Sequence, residues 1–243
     1  NEGHHLPTLS PSGTLLAAQR PVIVVAWDLA TGAETVYGSA GRPSRGPVDI
    51  SPDGTLLAMS CLRSARDDDI FLVDLSAGAA PDRTQRRLLR LPGADRLPAF
   101  RPNSETVAFA HQVVSENGTG AWQVVEAPTT PGARNEDVKV LVDALPAVGR
   151  ISWFPDGKRL LVWDGGATRI VDLPKATQER VLAEGPLDPD AGEPTPLVVQ
   201  DPCVDDTGEW LVFSGSRTGG IAPDPPLRVY RCKLDGSAVE RLS

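Results

Sequence analysis

One short phrase recurs along the chain. SPDGTLLAM occupies residues 51–59, and related strings occupy 9–18, 100–110, 153–163 and 204–214, about 41 to 53 residues apart. Each copy places a turn rich in Ser, Pro, Asp and Gly between two apolar runs. This pattern predicts a β-hairpin, because Pro suits the second position of a β-turn and Gly suits the position where φ is positive.

Two further strands are predicted in every copy. A third, apolar run follows the hairpin, as in DIFLVDL at 69–75, and a more polar run closes the unit, as in VKVLVD at 138–143. Four antiparallel strands with a period in the forties to low fifties indicate the blades of a propeller. Such a sheet has apolar side chains on both faces, and stacking sheets around an axis covers them. The first strand is expected to be the shortest, since it lies nearest the axis.

We therefore predict an all-β chain that forms a β-propeller of four-stranded antiparallel blades. Five copies of the repeat indicate five blades, and six blades are the alternative if a repeat lies outside the sequence. A length of 243 residues suits a single all-β domain. The blades are predicted at approximately 1–41, 42–92, 93–144, 145–196 and 197–243.

Composition limits the partners. The chain has 24 Lys and Arg against 32 Asp and Glu, a formal net charge of −8. An acidic surface repels the phosphate backbone, so we expect no nucleic-acid partner. No apolar run approaches the roughly 18 to 20 residues that span a bilayer, so no membrane span is expected.

The repeats resemble those of a known family. SPDGTLLAMSCLRSARDDDIFLVDLSAG at 51–78 and VYRCKLDGSAVERLS at 229–243 resemble the WD-like units of TolB-like propellers. The resemblance extends over the chain unit by unit, and is looser where NSET at 103–106 and DDTG at 205–208 replace the PDG turn. It implies a propeller that is often exported and acts mainly as a binding scaffold. The expected location is therefore extracytoplasmic, either periplasmic or secreted. Related repeats also form the lid of prolyl-oligopeptidase-type peptidases, but the G-x-S-x-G motif of their hydrolase domain does not occur here.

The leading functional hypothesis is a non-catalytic binding or scaffold propeller. It would recognise a protein, peptide or glycan partner through the loops that join second to third strands, which gather on one face. Arginine can clamp a carboxylate with its fork, and tryptophan offers an aromatic contact. No catalytic residue is predicted. The candidate binding residues on that face are Arg20, Arg63, Arg66, Asp67, His111, Asp164, Arg217 and Trp122.

The acidic run RDDDI at 66–70 is the most prominent candidate for a metal site. Its three aspartates could ligate Ca²⁺, which prefers several oxygen ligands. The simpler prediction is a solvated loop between the second and third strands of the second repeat. The histidines, His4, His5 and His111, are not expected to ligate zinc, so no cofactor is predicted, with Ca²⁺ as the alternative.

Two other functions stay open. The first is a carbohydrate-active hydrolase or lyase with carboxylates in the central channel. Only one of the five positions expected to face the channel is acidic, which weakens the hydrolase or lyase hypothesis. The second is a sensor domain from a larger protein, suggested because the sequence starts without Met. The five channel positions are Thr8, Asp49, Ala99, Ser152 and Cys203.

Overall fold

The chain divides into two compact units, residues 1–146 and residues 147–243. A computed structural model describes the residues 7–20, 23–38, 46–64, 67–76, 85–102, 105–114, 120–175, 177–182, 185–217 and 227–243.

The first unit contains three four-stranded antiparallel sheets, and the strands of each sheet follow chain order. The first sheet contains β1 (Thr8–Leu9), β2 (Leu15–Arg20), β3 (Ile23–Asp28) and β4 (Glu34–Gly38). The second contains β5 (Asp49–Ile50), β6 (Leu56–Ser64), β7 (Asp67–Asp74) and β8 (Gln85–Arg87). The third contains β9 (Asp95–Phe100), β10 (Thr106–Gln112), β11 (Trp122–Pro128) and β12 (Lys139–Leu145).

The second unit contains two sheets with the same antiparallel order. One contains β13 (Arg150–Trp153), β14 (Arg159–Trp163), β15 (Thr168–Asp172) and β16 (Thr177–Val181). The other contains β17 (Leu197–Val204), β18 (Trp210–Arg217), β19 (Arg228–Lys233) and β20 (Glu240–Arg241).

Almost the whole described chain is strand and turn. A single turn of 3₁₀-helix at Asn135–Asp137 precedes β12. Within the described ranges no helix is long and apolar enough to cross a membrane. The predicted fold class is confirmed: the protein is an all-β propeller with five four-stranded antiparallel blades. The single-domain organisation and the limits of the blades stay predictions.

The repeated phrase folds as its residue types predict. In the second blade the N–H of Gly54, at φ +74°, donates to the carbonyl of Ser51 at 2.9 Å. The Ser51 hydroxyl accepts the N–H of Leu56 at 2.9 Å, and the Asp53 carboxylate accepts the N–H of Thr55 at 3.0 Å. The Ser51 hydroxyl also donates to the Asp53 carboxylate at 2.6 Å, and this bond, followed by the bond from the Thr55 N–H, lowers the pKa of Asp53. The phrase therefore encodes a turn whose polar side chains satisfy its own backbone.

Apolar side chains from neighbouring blades pack face to face within each unit. The cores therefore lie between the sheets, as blade stacking requires. Between the first and second blades they include Val24, Tyr37, Met59 and Val73. Between the second and third they include Ile70, Leu72, Phe100, Phe109 and Val125. In the second unit they include Phe154, Leu161, Leu211, Phe213 and Tyr230.

The expectation that the first strand is the shortest is wrong for the fifth blade. There β17 has eight residues and β20 has two. A register shift between Gln200 and Cys203, where Asp201 has a φ of 49°, bends β17 and lets its pairing with β18 continue as far as Leu197.

Candidate functional site

The acidic run lies in a strand, so its predicted assignment as a solvated loop is wrong. β7 begins at Asp67, and Asp68 and Asp69 pair with Leu62 and Cys61 of β6. Both aspartate side chains are 0% exposed. The β6–β7 hairpin continues beyond its apolar residues, and this extension carries the carboxylates into the interior.

Arginine side chains neutralise the three aspartates. The Arg96 Nε donates to Asp68 Oδ2 at 2.5 Å, and the Arg87 Nη1 donates to Asp69 Oδ2 at 3.0 Å. On the more exposed side, Arg63 lies 3.2 Å from Asp67. A buried carboxylate is expensive unless it is paired, so these contacts explain how β7 tolerates the run. The Oδ1 atoms of the three aspartates have no hydrogen-bond partner among the described residues.

A further buried carboxylate lies in the third blade. Asp95 pairs in register with His111, and Asp95 Oδ1 lies 2.7 Å from the His111 Nδ1. Burial raises the pKa of Asp95 to about 6. Asp69 and Asp67 push the pKa in the same direction, while the hydrogen bond with His111 opposes the rise. The site therefore contains a carboxyl group that changes charge near pH 6.

The outward side of this region carries a cation and apolar groups. Arg96 is 39% exposed, and its guanidinium carbon lies 5.7 Å from the centre of the Trp122 ring. Next to Trp122, the N–H of Val113 donates to the carbonyl of Ala121 at 2.9 Å. Val113 and Val114 are both exposed, Val114 by 63%. We call Arg96 and Trp122 the Arg96–Trp122 surface, and the exposed Val113 and Val114 follow β10 beside it.

Two glycines let the backbone pack closely beside this surface. A Cβ on Gly120 would lie 1.7 Å from the carbonyl oxygen of Val113. A Cβ on Gly93, whose φ is +108°, would lie 2.1 Å from the carbonyl oxygen of Gln112. Side chains at either glycine would displace the end of β10, so these residues help to fix the position of Val113.

The second unit holds two of the predicted residues in ion pairs. Arg217 Nε donates to the buried Asp188 Oδ2 at 2.5 Å. Asp164 accepts the N–H groups of Gly166 at 3.0 Å and Ala167 at 2.6 Å. Burial alone would raise the pKa of each aspartate, but these hydrogen bonds and the neighbouring arginines leave both pKa values below their ordinary range.

The structure brings four of the predicted residues together in the first unit and two in the second. Arg66 lies outside the described residues, and only the backbone of Arg20 is described. The binding roles of all eight residues stay predictions. The first-unit residues are Arg63, Asp67, His111 and Trp122, and the second-unit residues are Asp164 and Arg217.

The residues that organise the site were not among the binding residues predicted from the sequence. They are Asp68, Asp69, Arg87, Asp95 and Arg96. The first apolar run of the third repeat is LPAF at 97–100, whereas β9 begins two residues earlier, at Asp95. The available signal was a pair of opposite charges, Asp95 and Arg96, immediately before a predicted strand.

The fold was compared with those of known proteins. No family model and no curated protein matches the chain, but many solved structures do. A protein identified as TolB from Agrobacterium tumefaciens superposes with a TM-score of 0.68 at 18% identity, over 98% of this chain and 80% of that one. The fold is that of the TolB-like propellers. TolB from Acinetobacter baumannii gives a TM-score of 0.65 at 19% identity, over 96% of this chain, which spans only 53% of that protein.

This TolB-like fold is shared with an enzyme. An oligogalacturonate lyase in complex with manganese gives a TM-score of 0.60 at 17% identity, over 98% of this chain and 64% of the lyase. Identities this low show a common fold and leave the function to be argued from the site.

The acidic run of this TolB-like propeller does not fit a divalent metal. Asp68 and Asp69 each already accept a guanidinium N–H. In the described parts of the chain no three His, Cys, Asp or Glu side chains are placed to hold a metal ion. The predicted calcium ligands therefore act as partners of arginines.

The one acidic channel position also has a structural role. Asp49 accepts a hydrogen bond from the Thr8 hydroxyl at 3.4 Å and another from the N–H of Phe100 at 2.7 Å. It thereby links the first strands of three successive blades. In the second unit Ser152 accepts the N–H of Val204 at 3.3 Å and links two blades in the same way.

A groove of about 910 Å³ opens in the second unit. Among its lining residues, Arg159 pairs with Asp156 and Lys175 pairs with Asp172, each at 2.8 Å. Both signs of charge line it, so the groove does not indicate one class of ligand. It lies near the turns that join β13 to β14 and β15 to β16.

Proposed function

We propose that this TolB-like propeller is a non-catalytic binding module that recognises a peptide segment of a protein partner. The Arg96–Trp122 surface is the main contact. One observation carries the proposal: Arg96 is held between the buried carboxylate of Asp68 and the ring of Trp122, with part of its guanidinium exposed.

This arrangement favours binding because Arg96 loses little side-chain entropy when a partner associates. A free arginine loses side-chain entropy when a partner immobilises it, whereas Arg96 is already held at two points. In the proposal the exposed Val113 and Val114, which follow β10, add apolar contact area to this surface. Tryptophan and arginine are the residues most often found at the energetic centre of protein interfaces.

The other predicted residues form the surroundings of this contact in the proposal. Arg63, Asp67 and His111 lie in the same unit, and His111 orders β10 through Asp95. Arg20, Arg66, Asp164 and Arg217 are proposed as further contacts. We also propose an extracytoplasmic location, which rests on the likeness to TolB.

A selection of random peptides tests the proposal. Peptides that bind the full chain would be enriched by phage display, synthesised with a fluorescent label and titrated by fluorescence polarisation. Replacing Trp122 by Leu and Arg96 by Lys should each weaken binding roughly tenfold or more, since both side chains belong to the proposed interface centre. Arg96→Lys keeps a positive charge beside Asp68, which protects the fold.

A matched pair elsewhere provides the control. Trp210 also lies beneath cations, with Arg231 at 4.4 Å and Lys233 at 4.1 Å from the ring centre, and belongs to the second unit. Trp210→Leu and Arg231→Lys should leave peptide affinity unchanged. The proposal fails if no peptide is enriched, or if the two pairs of variants affect binding equally.

A second candidate, a carbohydrate-active lyase or hydrolase, has one observation in its favour. The Asp95 carboxyl, with a pKa near 6 and a hydrogen bond to His111, could transfer a proton near neutral pH. The chain would be assayed with uronate and neutral oligosaccharides for unsaturated products and reducing ends. Turnover that disappears in Asp95→Asn would favour this candidate over the binding module.

A further inference from the structure

We infer that the group recognised at the Arg96–Trp122 surface is a carboxylate of the partner peptide, and that Arg96 takes it through its two terminal nitrogens. The inference rests on the proposed function and adds the chemistry of the ligand.

The donor atoms of Arg96 divide into two sets. Its Nε faces inward and donates to Asp68 Oδ2 at 2.5 Å. Its terminal nitrogens have no hydrogen-bond partner among the described residues, although the side chain is 39% exposed. A guanidinium presents parallel N–H groups that match the two oxygens of a carboxylate. The inward contact fixes the plane of the fork, so the outward edge is ready for an acceptor.

Trp122 favours the same ligand. With the guanidinium 5.7 Å from its centre, the ring covers part of the arginine and removes water from it. A hydrogen bond to a charged group strengthens when its surroundings are dry. Val113 and Val114, which are exposed after β10, would offer apolar contact to neighbouring residues of the peptide, so a carboxylate beside an apolar residue would suit the surface.

Charge selects a carboxylate over a doubly charged anion. The chain carries a net charge of −8, and the carboxylate of Asp95, which contacts His111 rather than an arginine, lies next to Arg96 in β9, near the paired carboxylates of Asp67 and Asp69. Repulsion by these carboxylates grows with the charge of the ligand, so a phosphate would be disfavoured more than a singly charged carboxylate. A cationic ligand would meet the exposed guanidinium before it reached the buried aspartates.

The test uses the synthetic peptides selected by display. Each peptide would be remade with Glu and Asp replaced by Gln and Asn, and separately with its C-terminal carboxylate amidated. These two changes distinguish a side-chain carboxylate from a chain terminus. One of them should weaken binding to the wild-type chain roughly tenfold or more, as expected for loss of a charge-assisted hydrogen bond. The same peptide change should alter the affinity of the Arg96→Gln variant little. The loss of affinity for the Arg96→Lys variant should be intermediate.

The outcomes separate the two proposals. If the peptides depend on Trp122 but neither replacement weakens binding, the carboxylate inference is wrong and the binding function stands. Tighter binding of lysine-rich or phosphorylated versions of the peptides would also overturn the inference. If no peptide binds in a Trp122-dependent way, the proposed function itself fails.

Discussion

Arg96 and Asp68 form an asymmetric ion pair, because only the arginine reaches solvent. Removing the arginine leaves a fully buried carboxylate without a counter-charge, whereas removing the carboxylate leaves a cation that water can still reach. The free energy of unfolding should therefore respond differently to the two changes.

We predict that Arg96→Ala lowers the free energy of unfolding by roughly 3 to 5 kcal/mol and that Asp68→Asn lowers it by about 1 kcal/mol. Urea denaturation at neutral pH would measure both. Equal losses would indicate that Arg96 and Asp68 are equally exposed to solvent and would contradict the burial described for Asp68.

Asp95 makes the stability of the fold depend on pH. Burial raises its pKa from 3.8 to about 6, so the folded chain binds this proton more tightly than the unfolded chain does. Asp95 therefore makes its full contribution to the free energy of unfolding below its ordinary pKa. This contribution is lost as the pH rises through the raised pKa of the folded chain.

Asp95→Asn should remove this dependence. Between pH 4 and pH 7 the free energy of unfolding of the variant should rise by up to about 3 kcal/mol relative to that of the wild type, because each unit of pKa shift corresponds to about 1.4 kcal/mol. Urea denaturation across this range measures the difference, with the exposed Asp143→Asn as the control. A difference that stays constant with pH would show that Asp95 ionises normally.

At the scale of the strands, the residue pattern was a good guide where apolar side chains decide the structure. The second apolar run in the copy at 153–163 is RLLVW, and it forms β14, Arg159–Trp163, as the hairpin pattern predicts. The prediction for Asp67–Asp69 was wrong because aspartate is typical of loops, whereas its place in β7 depends on arginines from β8 and β9. The Asp68–Arg96 pair joins two different blades, so no local pattern could reveal it.

The turn before β9 offers a test of the close packing beside the site. Gly93→Ala should lower the free energy of unfolding by more than about 2 kcal/mol, since it combines a positive φ with a clash against the Gln112 carbonyl. Gly13→Ala is the matched control. Gly13 also has a positive φ, +70°, but nothing lies within 4 Å of its added Cβ, so about 1 kcal/mol is expected. Thermal or urea denaturation would rank the two, and an equal loss would contradict the packing of Gly93.

At the scale of the whole molecule, repetition identified the fold and could not identify the function. Every copy of the phrase builds the same hairpin, and its residues form the turns and the cores between blades. The proposed site instead uses residues in which one blade departs from the others, such as Arg96 and Trp122. A single sequence shows such departures but does not distinguish a functional one from a neutral one.

Hydrogen–deuterium exchange of the full chain with and without a selected peptide tests the account most directly, since bound segments exchange more slowly. The account predicts protection at 94–97, 110–114 and 120–124, with little change at 170–182. Protection confined to 170–182, along the groove of the second unit, would contradict it.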